Sequence, residues 1–284
     1  MAGEINLSDA RVQLDSAKDH YSALLRIFAE WTKSGGIHVE TVRDPVFVEY
    51  RWQVVVGSEP SRNLPALAGH IVGDLWTTLG YIAFAIYRAA GGAPDGDQAA
   101  VVAFPILKDR PKDWSAVVKN KVPGIWPAAS KALKVSQPFA QKGQEALALP
   151  TIQALGRTDK HRNLNLCAAM ALSGNAIGPQ TGTLPAGLEI RLARADGNIS
   201  QGPVVPIEPG TTVQLGLCRV PPSLAPFEDA MYTWASGIRF DQPPPPHVEF
   251  SFRANNSVEA SIEGFGGLIQ HVEGIVDRIS ALAA

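Results

Sequence analysis

Leu14, Ala17, Tyr21, Leu24, Leu25 and Phe28 recur at helical spacing and draw one apolar stripe along a first predicted helix. Ser8 is of a type that caps such a helix, and Asp9 sits near the positive end of its dipole. Gly35-Gly36 ends it. Val46 to Val56, rich in valine and aromatics, reads as a strand closed by Pro60. A second helix is predicted from about Leu64 to Arg88, with Pro65 tolerated in its first turn. After Leu75 it is apolar on nearly all sides, which marks the central helix of a bundle.

Between Trp114 and Gln141 the pattern gives short helices broken by Pro123, Pro127 and Pro138. A further helix is expected from about Pro150 to Leu172. The texture then changes. From Gly174 to Phe252 glycine and proline are frequent and short runs alternate, as in LEIRLAR at 188–194, where Leu188, Ile190 and Leu192 share a face. Asp196-Gly197 suits a hairpin turn. TTVQLGLCRV at 211–220 and HVEFSFRA at 247–254 read as further strands, the latter behind a tetraproline read as a stiff connector. A last helix from Gly267 to Leu282 carries Leu268, Ile269, Val272, Ile275, Val276 and Ile279 on one face.

The expected class is α+β: a helical bundle core, a β-rich C-terminal section, and a final amphipathic helix returning to the bundle. The expected divisions are 1–173, 174–266 and 267–284.

Composition changes this picture little. Hydrophobic residues make up 45% and charged residues 18% of 284, as in ordinary folded domains. The longest uncharged apolar run, Leu75 to Tyr87, is too short for a membrane span of about 20 residues. The N-terminal residues lack the basic and apolar regions of a secretory signal, so a cytoplasmic location and no membrane partner are expected. The two cysteines, Cys167 and Cys218, are too few for a disulfide framework and read as buried thiols. The six histidines include no HxH or HxxxH pair, and no Walker, GxSxG or dinucleotide loop is present; no metal site and no cofactor are expected.

Charge is unevenly placed, although the chain carries only −2 overall. Lys108 to Arg162 holds eleven basic residues against four acidic ones, a net +7. Trp114, Trp126 and Phe139 are interleaved with them. Cations neutralise phosphates and aromatic faces stack on bases, so this composition suits RNA. The candidate contacts are Lys108, Arg110, Lys119, Lys121, Arg157, Lys160 and Arg162.

Inside the same region, Asp159-Lys160-His161-Arg162 puts four ionisable groups in a row. On a continuous helix Arg157, His161 and Asn165 would share a face, and Asp159 would lie near Arg162 and Asn163. His161, Arg162 and Asp159 are therefore candidates for phosphate binding or proton transfer. His70 and Asp74, four apart on the central helix, form a candidate polar pair of structural character.

Gly73-Asp74, Phe104-Pro105-Ile106 and Asp159-Lys160-His161-Arg162 with Leu164 follow one another between residues 64 and 172. In this the chain resembles a bacterial family with the same succession, whose helix after the Gly-Asp is similar to that of HEPN nucleases. The resemblance implies a helical, usually dimeric relative of enzymes that cleave RNA through an arginine and a histidine separated by four residues. Aligned from Gly73-Asp74, those positions hold Gly80 and Ala85, so the usual pair is absent.

The expected function is thus RNA binding in a relative of helical RNases, without the usual catalytic motif and with a homodimer as a further expected partner. A non-catalytic interaction or assembly module is the alternative. An enzyme acting on a small phosphorylated or acidic ligand through His161 is the third.

Overall fold

The computed structural model describes residues 3–44, 49–95, 97–159, 165–172, 189–192, 204–206, 208–219, 246–254 and 258–282. Its helices are α1 (Ser8–Trp31), α2 (Asn63–Ala89), α3 (Trp114–Lys121), α4 (Pro127–Val135), α5 (Gln144–Asp159) and α6 (Ile262–Ser280). Its strands are β1 (Ile37–Asp44), β2 (Glu49–Val56), β3 (Asn165–Leu172), β4 (Glu189–Leu192), β5 (Val204–Pro206), β6 (Thr212–Arg219), β7 (Pro246–Ala254) and β8 (Val258–Ser261). The architecture is α+β with a helical core, as the periodicities require.

Two compact units divide the chain. The first takes Met1–Arg26, Arg62–Asn165 and Phe252–Ala284; the second takes Ile27–Ser61 and Leu166–Ser251.

The first unit is the bundle. α2 packs against α5 and α6, and α6 also meets α4 and α5. Ile71, Leu75, Leu79, Ile82 and Ile86 of α2 are fully buried, with Leu24, Leu133, Leu149, Ile152, Phe265 and Ile279 from the surrounding helices. Each such side chain contributes about 1.5–3 kcal/mol by leaving water, so the apolar spacing read in α2 and α6 is what assembles this core. Phe252 and Phe265 meet edge to face at 5.7 Å. At the start of α6, the Ser261 hydroxyl accepts the Gly264 N–H at 3.0 Å, a standard cap. At the start of α1 the carboxamide of Asn6 accepts the Ser8 N–H at 2.9 Å. Ser8 is therefore the first helical residue, and a residue two places earlier does the satisfying.

The second unit holds a sheet of order β1-β2-β6-β4, antiparallel throughout. Ile37 stands opposite Val56 and Asp44 opposite Glu49. The β2–β6 register shifts between Trp52 and Gln53. Gly35, at φ +84°, turns the chain from the end of α1 toward β1, a conformation L side chains rarely adopt. Phe28, Trp31 and Phe250 form an aromatic cluster in this unit, with Phe28 and Phe250 at 4.6 Å edge to face. A second row begins β5-β3-β7.

Two local expectations need correction. α5 stops at Asp159 and Asn165–Leu172 is strand β3, where one helix to Leu172 was expected. The run Cys167 to Leu172 is short and wholly apolar, and such a run fits a buried strand as well as a helix. Strand pairing with β5 decides it. Ile37–Asp44 is strand β1, where no strand was expected: Ile37 and Val39 alternate with His38 and Glu40, but the apolar alternation stops at Thr41 and is too short to stand out. As a result the β1–β2 hairpin belongs to the second unit, whereas the sequence division placed it with residues 1–173. Asp196-Gly197 and Pro243 to Pro245 lie outside the described residues.

Candidate nucleic-acid interface

The cationic region lies in the first unit on short, proline-limited elements. Pro127 opens α4, and Pro138 opens a single turn of 3-10 helix. Lys108, Arg110, Lys112, Lys119, Lys121, Lys131, Lys142 and Arg157 are all exposed, and Lys134 is partly covered. None of the eight makes an ion pair among the described residues. Of the nearby carboxylates, Asp113 is engaged as the cap of α3, its Oδ1 accepting the Ala116 N–H at 3.0 Å. Lysine and arginine heads held in water without a carboxylate partner can take up phosphate at no cost in broken ion pairs.

The interleaved aromatics behave differently from the stacking platforms that the sequence suggested. Trp114 is half-buried, donates its indole N–H to the Ser130 hydroxyl at 3.0 Å, and meets Phe139 edge to face at 6.0 Å. These rings tie α3 to α4 and to the turn that follows. Trp126, also half-buried, is the residue from which α4 starts.

Behind the surface a buried amide organises the backbone. Gln137 is fully covered. Its Oε1 accepts the Leu107 N–H at 3.0 Å, and its Nε2 donates to the carbonyls of Pro105 at 2.9 Å and Leu133 at 3.1 Å. The amide thus acts as a strand partner for Phe104-Pro105-Ile106-Leu107, and every polar atom it carries is satisfied. The same segment is held from its other end by the Ala103 N–H, which donates to Lys121 O at 3.0 Å. Next to Gln137, the Ser136 hydroxyl accepts from the Arg278 guanidinium of α6.

Of the residues singled out by sequence, Lys108, Arg110, Lys119, Lys121 and Arg157 are described and exposed. Lys160, His161 and Arg162 lie outside the described residues, and of Asp159 the structure describes the backbone alone, as the last residue of α5. Because Asn165 opens β3, Arg157 and Asn165 do not share a helical face.

Asp74 is the hub of a separate polar cluster, with a different partner from the one its spacing suggests. Its carboxylate accepts from Gln13 Nε2, from Ser16 Oγ at 3.0 Å, and pairs with His20 Nδ1 at 2.8 Å, all three from α1. His70, the neighbour four residues back, lies one step further out, with its ring 5.0 Å from that of His20. Gln13, Ser16 and His20 were not anticipated; the available signal was their i, i+3, i+7 spacing along the edge of the α1 apolar stripe. These three contacts on one carboxylate fasten α1 to α2.

Three further ionisable groups in the bundle are shifted by their surroundings, and of these the buried Nε2 of His271 has no hydrogen-bond partner among the described residues. Lys18 pairs with Glu273 at 2.7 Å, and this hydrogen bond raises its pKa. Burial raises the pKa of Tyr21, with the Glu263 charge adding to it. Burial lowers that of His271, assisted by Arg278 and opposed by Glu145. Among the described residues no group of three or more His, Cys, Asp or Glu side chains is arranged to hold a metal ion. No described helix is long and apolar enough to cross a membrane.

Comparison with protein-family models, curated proteins and solved structures finds no match. Gly80 is exposed and Ala85 buried on α2, and neither offers a side chain able to move a proton.

Proposed function

We propose that the chain binds RNA through the cationic surface of residues 108–157. The observation that carries this reading is the set of eight exposed lysines and arginines without an ion-pair partner among the described residues. Each unpaired cation that meets a phosphate releases a counterion, which gives affinity that depends on salt and little on sequence. Backbone contact is favoured over base stacking, because Trp114 and Phe139 are turned toward each other. Cleavage is not part of this reading, since the positions aligned with the nuclease pair are Gly80 and Ala85.

Fluorescence anisotropy with labelled single-stranded RNA tests it. The native chain is compared with a variant carrying Lys108→Ala, Arg110→Ala, Lys119→Ala, Lys121→Ala and Arg157→Ala. Binding that falls with added salt and weakens at least about tenfold in the variant is expected. Native protein that fails to bind at low salt contradicts the reading.

A second reading, assembly through α2, has its own observation. Trp76 and Tyr81 are 37% and 40% exposed on that helix, on the side that also carries Gly73, Thr77 and Gly80. A homodimer through this face predicts a dimeric mass by light scattering that Trp76→Glu reduces to the monomer.

A further inference from the structure

The cations of this surface are not equivalent in how their backbone is held. Lys108, Arg110 and Lys112 fall within five residues, with a single carboxylate, Asp109, among them. On one side of this loop the chain is gripped at Pro105 and Leu107 by the buried Gln137 amide, and at Ala103 by the Lys121 carbonyl. On the other side Asp113 caps α3 and fixes where the helix starts. Pro111 restricts φ in between. Phe104 and Pro105 are themselves buried, so the grip is anchored in the core. Three exposed cations therefore stand on a short loop pinned at both ends. By contrast, Lys119, Lys121 and Lys131 project from two separate short helices.

We propose that the loop 108–112 is the principal phosphate-gripping element of the chain, and that Gln137 is the residue that positions it. The ligand class is a run of neighbouring phosphodiesters in a single-stranded nucleic acid, so the inference rests on the RNA-binding reading and sharpens it. Binding costs include the ordering of the loop that makes the contacts, and a loop already ordered by its flanks avoids that cost. Arg110 can take a phosphate by two parallel hydrogen bonds, while Lys108 and Lys112 supply point charges on either side. Gln137 touches no ligand: it acts by holding the Pro105–Leu107 backbone.

Two variants with equal charge loss separate this idea from bulk electrostatics. One carries Lys108→Ala, Arg110→Ala and Lys112→Ala; the other carries Lys119→Ala, Lys121→Ala and Lys131→Ala. Both alter exposed side chains only, so both are expected to fold. Affinity for labelled single-stranded RNA is measured across a salt series in the full chain. The loop variant is expected to lose about tenfold or more and to flatten the log–log salt slope by about 2, the loss of three phosphate contacts. The helix variant is expected to lose only about twofold. Gln137→Met is expected to weaken binding several-fold in the native background and to add nothing in the loop variant. A merely structural glutamine would weaken both backgrounds alike. If Gln137→Met does not fold, the matched triple variants decide alone. Equal losses in the two triple variants overturn the inference and leave the RNA reading standing, whereas absence of native binding overturns both.

Discussion

The seam where α1 meets α2 and α6 and the surface of residues 108–157 both carry many charged and polar side chains, yet they use them in opposite ways. In the seam the central polar groups are partnered: Asp74 has Gln13, Ser16 and His20, Lys18 has Glu273, and Arg11 donates to Ser280 at 3.0 Å. On the surface the eight exposed cations have no ion-pair partner among the described residues. A polar group whose bonds are already made inside a fold stabilises that fold and has little left for a ligand. A cation left with water alone contributes almost nothing to stability and keeps its full charge for phosphate. The contrast gives the seam to stability and supports the binding role proposed for the surface.

The largest effect expected in the seam comes from Asp74→Ala. It strips three donors of their acceptor in a partly buried place and should cost about 2–4 kcal/mol in urea unfolding, with RNA affinity of the folded chain unchanged. Gln137→Met comes next, at about 1–3 kcal/mol, because it leaves the Leu107 N–H and two carbonyls without their partner. Unlike the Asp74 change, this one should also weaken RNA binding.

His271 adds a pH dependence of defined sign. Burial pushes its folded pKa below the ordinary 6.5, so the unfolded chain takes the proton more readily. Its contribution is fully present above pH 6.5 and is lost as the pH falls below that value toward the lowered folded pKa. Denaturant midpoints measured across that range should fall more steeply in the native chain than in His271→Phe. The smallest effect belongs to Lys18→Met. The Lys18–Glu273 pair is 40% and 41% exposed, and a pair so open to solvent is worth about 1 kcal/mol or less. A larger loss there would blur the comparison between the two regions.

Much of the bundle was legible because its core is written in one period. The apolar faces of α1, α2 and α6 and the proline breaks around α3 and α4 all carry local signals, and the structure places helices at each. β1 and β3 were not legible for different reasons: the alternation in β1 lasts only from Ile37 to Glu40, and β3 is too uniformly apolar to show a period of two. β1 is fixed by pairing with the neighbouring β2, and β3 by pairing with the distant β5. The site divides in the same way. Sequence shows that cations crowd between residues 108 and 162, since charge is a property of the residue itself. It did not show that Trp114 and Phe139 would face each other, that Gln137 would hold the Pro105–Leu107 backbone, or that Asp74 would take His20 from α1. Those depend on contacts between residues from 25 to 54 positions apart.

The most direct test sets one variant from each region side by side: the five-cation alanine variant and Asp74→Asn. RNA affinity at low salt and the thermal midpoint are measured for both. A crossed result is predicted, with affinity lost and midpoint kept in the cation variant, and midpoint lowered with affinity kept in folded Asp74→Asn. Full affinity in the cation variant, or binding abolished in folded Asp74→Asn, would contradict the assignment of the two regions.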